Sequence, residues 1–405
     1  MRQTVSTILT ALVVLSLVAP ATAGAAAPTP AGVGAADAGT AELGASPAMQ
    51  ADCSFPFSAT DATGTEVTVE ERPERVTTLN PSAAQTMWEI GGEEQVVGVS
   101  QFAFYLDGAE NRTNVSASGF GVNNEKVVGT NPDLVLAPNA TPVETVESLR
   151  DSGLTVFYMP EAKTVEDVRE KTTLTGQLTG NCEGAAEANA WMTRNVDAAE
   201  NATADAERPS VLYPLGGGYV AGSDTFISAM INASGGSNVA AERGLSGYPQ
   251  VSDEVVVEAN PEILLVQTEA DGERYVTTEP YASTAAGEDE RYVVVDQNYL
   301  NQPAPRSVVY AVRNMTEGFH PDADAAFVDR SEVQANATSN ASADANAEND
   351  SSASTTDTEA AETTESTDGD DGATDAETTG TTTPGFGVTA AVAALVVAAL
   401  AARRS

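Results

Sequence analysis

A chain of 405 residues with 59 acidic against 19 basic side chains and a net charge of −40 is long enough for two lobes plus tails. Such a surface repels phosphate backbones, which excludes nucleic acid as a partner. One His and two Cys leave no material for a His-rich zinc site, and His320 stands too near the end of the candidate fold for a Ser-His-Asp triad. The acid is spread along the whole chain, as in surfaces kept soluble at high salt, and Lys occurs only at Lys126, Lys163 and Lys171.

Residues 1–24 read as a secretory signal: Arg2, an apolar run over 8–19 too short to span a membrane comfortably, then Ala21-Thr22-Ala23 as a cleavage site. No Cys follows that site, which argues against an N-terminal lipid. Residues 25–50 are Ala-, Gly- and Pro-rich without periodicity, a flexible leader. A first lobe over 51–163 carries strands predicted at 76–79, 96–99, 134–137 and 156–158, with helices at 82–90 and 142–152. A helical segment over 164–205 holds helices at 164–179 and 183–201, the second long enough to bridge two lobes. The second lobe, 206–327, carries strands at 211–213, 263–267 and 293–295 and helices at 225–233 and 306–319. Strands alternating with helices at this spacing predict parallel α/β units. In an exported chain Cys53 and Cys182 suggest a disulfide closing a long loop in preference to a metal pair.

One passage occurs twice. Glu125-Lys-Val-Val-Gly-Thr-Asn-Pro-Asp-Leu-Val-Leu returns as Glu254-Val-Val-Val-Glu-Ala-Asn-Pro-Glu-Ile-Leu-Leu. Each is a short helical turn with Glu, a break at Asn-Pro, and entry into a buried strand. The recurrence predicts two similar lobes.

From Ser331 to Thr383 the chain is mostly Ala, Ser, Thr, Asp, Glu and Asn with no Lys or Arg, so 328–383 reads as a solvated acidic stalk. Residues 384–405 run Pro384-Gly385-Phe386, an apolar stretch, then Arg403-Arg404. This tail resembles the archaeal Pro-Gly-Phe C-terminal sorting signal, which implies removal of the tail and a lipid in its place. The plain alternative is a transmembrane anchor. Either one tethers the chain at the outer cell surface. Asn-X-Ser/Thr sites at Asn111, Asn114, Asn139, Asn201, Asn232 and Asn314, and in the stalk at Asn336, Asn340 and Asn349, suit a glycosylated surface protein.

Enzyme signatures are missing. Gly216-Gly217-Gly218 follows a strand but lacks both the P-loop ending and the dinucleotide spacing, so it reads as a close-approach loop. No nucleophile elbow occurs. Binding is therefore favoured over catalysis, with no cofactor and no metal expected. Loops at strand ends offer Asn80, Ser82, Gln101, Phe102, Tyr105 and Phe120 in the first lobe. The second offers Tyr213, Tyr219, Ser223, Tyr248, Asn298 and Tyr299. Aromatics among amides and glycines suit a large planar ligand.

The segments Arg-Pro-Glu-Arg-Val-Thr-Thr-Leu-Asn-Pro-Ser-Ala-Ala (72–84), Val-Val-Gly-Val-Ser (96–100), Asn-Pro-Asp-Leu-Val-Leu-Ala (131–137), Gly-Tyr-Pro-Gln-Val-Ser-Asp-Glu (247–254) and Ala-Pro-Arg (304–306) follow one another over about 250 residues. In that order they resemble the periplasmic binding proteins of cobalamin and ferric-siderophore importers. The resemblance implies two Rossmann-like lobes joined by a single long backbone helix, the class III periplasmic-binding-protein fold, with ligand in the cleft and little hinge motion. It implies a monomer serving an ABC permease and its ATPase. Glu125 and Glu254 match the glutamates that dock on permease arginines, and Tyr248 matches an aromatic lining the cobalamin cleft. Asn298 stands where the cobalamin binder has an acid, and Phe102 and Tyr105 fall where cleft aromatics occur. The expected ligand is cobalamin or another corrinoid, ahead of a ferric siderophore or haem. A surface hydrolase and a structural envelope protein are the rivals from other classes.

Overall fold

The computed structural model describes residues 53–334 apart from Phe120. The signal, the leader, the C-terminal tail and most of the stalk lie outside the described residues. The fold opens with an antiparallel hairpin, β1 (Phe57–Thr60) and β2 (Glu66–Val69). It continues through β3 (Val76–Thr78), α1 (Pro81–Glu89), β4 (Val96–Val99), β5 (Thr113–Asn114), α2 (Asn124–Gly129), β6 (Leu134–Ala137), α3 (Val143–Asp151) and β7 (Val156–Tyr158). Two helices follow, α4 (Val165–Thr179) and α5 (Cys182–Thr203). The second half runs β8 (Ser210–Leu212), β9 (Pro214–Gly216), β10 (Tyr219–Val220), α6 (Phe226–Ala233), β11 (Ser237–Asn238), α7 (Val239–Glu242) and α8 (Asp253–Ala259). It ends with β12 (Ile263–Val266), α9 (Glu269–Val276), α10 (Ala285–Glu288), β13 (Tyr292–Val294), α11 (Gln297–Leu300) and α12 (Pro305–Phe319).

Two parallel sheets result, ordered β5-β4-β3-β6-β7 and β11-β8-β12-β13. Their central strands are apolar without interruption because both faces are covered. On β6, Leu134 and Leu136 join one core cluster while Val135 and Ala137 join the other. Ile263 and Leu265 of β12 part from Leu264 and Val266 in the same way. The family fold expected from the sequence is thus present, with one sheet in each half.

The link between the sheets is a helix pair. α5 spans 22 residues, about 33 Å, and carries Ala185 and Ala188 in the first lobe's core, then Met192, Val196 and Ala199 in the second lobe's. α4 lies against it in the opposite sense, with Val168 in the second core and Leu178 in the first. The sequence marked one bridging helix; α4 accompanies it. A capping box starts α4, the Thr164 and Asp167 side chains each accepting from the other's N–H, and Gly180 in the left-handed region ends it.

Near the turn between these helices, Cys53 and Cys182 form a disulfide with Cα atoms 6.0 Å apart. At the other end, the chain does not leave the fold at Phe327. Trp191 Nε1 donates to the Val328 carbonyl at 3.0 Å, and Val333 is buried in the second core. The stalk expected from residue 328 therefore begins with residues that are part of the fold. Among the described residues no helix is long and apolar enough to cross a membrane.

Candidate functional site

Parallel sheets place ligands at the carboxyl ends of their strands. In the first lobe β3 delivers Asn80 and Ser82. Asn80 caps α1, its Oδ1 accepting from the Ala83 N–H at 3.3 Å and from Ser82 Oγ at 3.0 Å. Ser82 is 2 % exposed. Both side chains thus hold the helix start together, a role prior to any ligand contact. Beyond β4, Gln101 and Phe102 lie in a short 3-10 turn whose start is tied by Ser116 Oγ, accepting from the Gln101 N–H at 2.9 Å. Phe102 is half-buried, and the neighbouring Phe104, which the sequence did not mark, is exposed. Phe120 lies outside the described residues.

The two lobes meet at an aromatic and amide junction. Tyr105 of the first lobe stands edge-on to Tyr299 of α11, ring centroids 6.3 Å apart. Tyr299 stacks on Tyr310 at 4.8 Å, and Tyr310 is edge-on to Trp191 of α5 at 6.5 Å. Gln85 of α1 fixes the junction with its whole amide. Its Nε2 donates to the Tyr105 hydroxyl at 2.7 Å, and its Oε1 accepts from Ser307 N–H at 3.0 Å and Ser307 Oγ at 2.9 Å. The Asn298 carbonyl lies 3.5 Å from the same Nε2. Burial pushes the Tyr105 and Tyr299 phenols above their usual range, so both stay neutral hydrogen-bonding groups.

One turn further along α1, the buried carboxylate of Glu89 is held by two arginines. Arg306 at the start of α12 bonds one of its oxygens, and Arg330 reaches the other at 2.9 Å. The sequence quoted Arg306 only as part of a motif. Gln85, Glu89, Tyr310, Trp191 and Arg330 it missed, since their partners lie up to 241 residues away in the chain.

In the second lobe β9 and β10 form a small hairpin around Gly216, Gly217 and Gly218, all at positive φ (85°, 59° and 80°). Three successive left-handed residues are what only glycine supplies without strain; close approach is found at Gly218 alone, where a Cβ would lie 3.1 Å from the Val251 carbonyl oxygen. The hairpin is zipped to the segment carrying Tyr248: the Val251 N–H donates to Gly218 O at 2.8 Å and the Val220 N–H to Pro249 O at 3.1 Å. Half-buried Tyr219 and exposed Tyr248, 38 % accessible, therefore stand on adjoining segments. Tyr248 lies within electrostatic reach of Glu161, on the segment that crosses between the lobes. Tyr213 lies beneath them: it is fully buried, its hydroxyl accepts from Gln267, and it is within electrostatic reach of Tyr248. Ser223 pairs its backbone with Leu245 and Gly247.

Glu125 and Glu254 occupy the same place in the two halves. Each stands exposed in the first turn of a short helix, α2 or α8. Three residues on, Val128 and Val257 are each 41 % exposed. The helices end alike, at Asn131 and Asn260 with φ of 47° and 45°. The acids that follow also act alike: Asp133 accepts from the Glu74 and Arg75 N–H groups at 2.9 Å, and Glu262 from the Ser210 N–H at 2.7 Å. The internal repeat is thus structural down to single hydrogen bonds.

Among the described residues no group of three or more His, Cys, Asp or Glu side chains converges as a metal site would. His320 closes α12, its ring bonded to the Gly235 carbonyl at 3.1 Å, away from the aromatic junction.

With this geometry in view, comparison with known proteins is direct. The family model described as periplasmic binding protein matches residues 76–299, and that of the PGF-CTERM motif matches residues 383–404. A cobalamin-binding protein of Halobacterium salinarum is 45 % identical over 288 residues, covering 68 % of this chain and 78 % of its own. A vitamin B12-binding protein of Vibrio vulnificus is 25 % identical over 251 residues, covering 61 % and 90 %. Among solved structures, the periplasmic heme-binding protein RhuT of Roseiflexus sp. RS-1 in its apo form gives a TM-score of 0.54 at 25 % identity, covering 61 % of this chain and 99 % of that one.

Proposed function

The chain belongs to the periplasmic binding protein family, and from that premise we propose that it captures cobalamin or another corrinoid outside the cell and hands it to an ABC permease. The solute-binding role comes with the family, and the C-terminal motif places the chain outside the cell, anchored at the membrane. The observation that carries the ligand is the 45 % identity to a cobalamin-binding protein across 68 % of the chain. Physical features agree with it. Aromatic side chains at strand ends and at the junction, Tyr248 and Tyr299 among them, offer stacking faces for a large macrocycle.

Haem is the second reading, favoured by the likeness to RhuT. It requires an axial ligand on iron; the single His320 is committed to the Gly235 carbonyl, which leaves that part to a tyrosine such as the exposed Tyr248. An anionic ferric siderophore calls for free arginines, whereas Arg306 and Arg330 are both engaged by the Glu89 carboxylate. The arginine point favours the corrinoid over a siderophore.

For delivery, Glu125 and Glu254 are the proposed contacts to the permease, each backed by an exposed valine. Removing both, Glu125→Ala with Glu254→Ala, leaves ligand affinity intact and abolishes uptake in cells. Loss of affinity in the double variant speaks against docking. The ligand itself is tested by titrating the intact chain at high salt with cobalamin, cobinamide, haem and ferric siderophores, reading intrinsic fluorescence. Saturation by corrinoids at about micromolar Kd or tighter, without saturation by haem or siderophores, supports the reading. Saturation by haem alone replaces it.

A further inference from the structure

Of the three lysines, two have partners: Lys126 Nζ donates to the Ser116 carbonyl at 3.2 Å, and Lys163 pairs with Glu161 at 3.2 Å. Lys171 has none at contact distance among the described residues. It lies in the middle of α4 and is 5 % exposed. The charge that acts on it is Asp167, one turn back, whose carboxylate already accepts from the Lys163 and Thr164 N–H groups at 2.8 and 2.9 Å.

Lys171 lines a cavity of about 10 Å³ together with Ser82, Thr86, Pro138, Met159 and Thr175, room for one water molecule or one ligand oxygen. The hydroxyls around it have spent their protons elsewhere: Thr86 donates to the Ser82 carbonyl at 2.9 Å, and Thr175 to the Lys171 carbonyl at 2.7 Å. Ser82 follows β3, Pro138 follows β6 and Met159 follows β7. The cavity is therefore at the carboxyl ends of three neighbouring strands of the first sheet, where folds of this class receive ligands.

A buried ammonium with no ion pair at contact distance, only a carboxylate one turn away that is shared with two backbone N–H groups, is unfavourable. A group held in that state at a strand-end site is a candidate for meeting its opposite charge on a ligand. We propose that Lys171 is an anion-recognition group of the solute site, and that the anion it takes is the phosphodiester of a complete corrinoid. This rests on the corrinoid reading and sharpens it. The amides of a corrin ring are neutral, so the phosphodiester of the nucleotide loop is the one permanent negative charge on the solute's periphery. On a chain of net charge −40 a buried cation is also the means of admitting an anion against the general field.

The test compares wild type with Lys171→Met and Lys171→Arg, each confirmed folded by its thermal melt, titrated with cobalamin and with cobinamide, which lacks the nucleotide phosphate. Wild type binds cobalamin more tightly than cobinamide. Lys171→Met loses roughly 10- to 100-fold for cobalamin and keeps its cobinamide affinity; Lys171→Arg retains most of the preference. Equal weakening toward both corrinoids, or no change in their ratio, overturns the assignment while the corrinoid reading stands. Wild type that binds neither corrinoid overturns both.

Discussion

Lys171 has a consequence that needs no ligand to observe. Burial lowers its ammonium from 10.5 to about 8, with Asp167 opposing. The folded pKa is below the unfolded one, so proton binding favours the unfolded chain. The penalty is complete below about pH 8 and is relieved as pH rises toward 10.5. Lys171→Met, which keeps the length and drops the charge, should gain up to about 3 kcal/mol at pH 7. That gain shrinks by pH 10, as denaturant melts at the two values will report. Asp61 is the converse. Its fully buried carboxylate would be raised by burial alone, but N–H and hydroxyl donors from Thr63, the Tyr158 N–H and Arg150 outweigh that and lower it below 3.8. Its contribution is present above pH 4 and lost as pH falls through the depressed value. Asp61→Ala leaves Arg150 unpaired, and a stability loss of about 3 kcal/mol at pH 7 is expected.

At the scale of elements, the parallel strands were legible because a strand covered on both faces is a short apolar run bounded by turn residues. The runs 96–99, 134–137 and 156–158 coincide with β4, β6 and β7 residue for residue. The β1–β2 hairpin was not legible: Phe57–Thr60 and Glu66–Val69 alternate with polar residues and lie partly exposed, so neither makes an apolar run. The site divides in the same way. Tyr105 and Tyr299 stood out as loop aromatics, and the structure brings them together. Glu89 could not stand out among 59 acidic residues, since what distinguishes it is two arginines remote in sequence. Gly184 is a similar case. A Cβ there would lie 2.1 Å from the Ile90 carbonyl oxygen, so α5 crosses the end of α1 at backbone contact. Gly184→Ala must push the two helices apart, and a loss of about 1–3 kcal/mol in a melting experiment is expected.

For the whole molecule, the question is what keeps two sheets in one relation while a cleft between them receives solute. Three ties converge on α1 and its surroundings. The helix pair α4 and α5 runs through both cores. The Cys53–Cys182 disulfide, across 129 residues of sequence, pins the entry of the first lobe to the start of α5. Glu89 joins α1 to α12 and, through Arg330, to the segment that leads toward the membrane anchor. Of the three, the ion cluster is the tie a single substitution releases. Glu89→Gln keeps the shape but removes the one carboxylate that both guanidinium groups share, and a loss of about 3 kcal/mol is expected. Hydrogen exchange separates this from uniform destabilisation: amides of α1, the start of α12 and residues 328–334 should lose protection, while those of β6 and β12 keep theirs. Even loss of protection throughout would mean that the ion cluster supports the fold as a whole rather than the junction between its lobes.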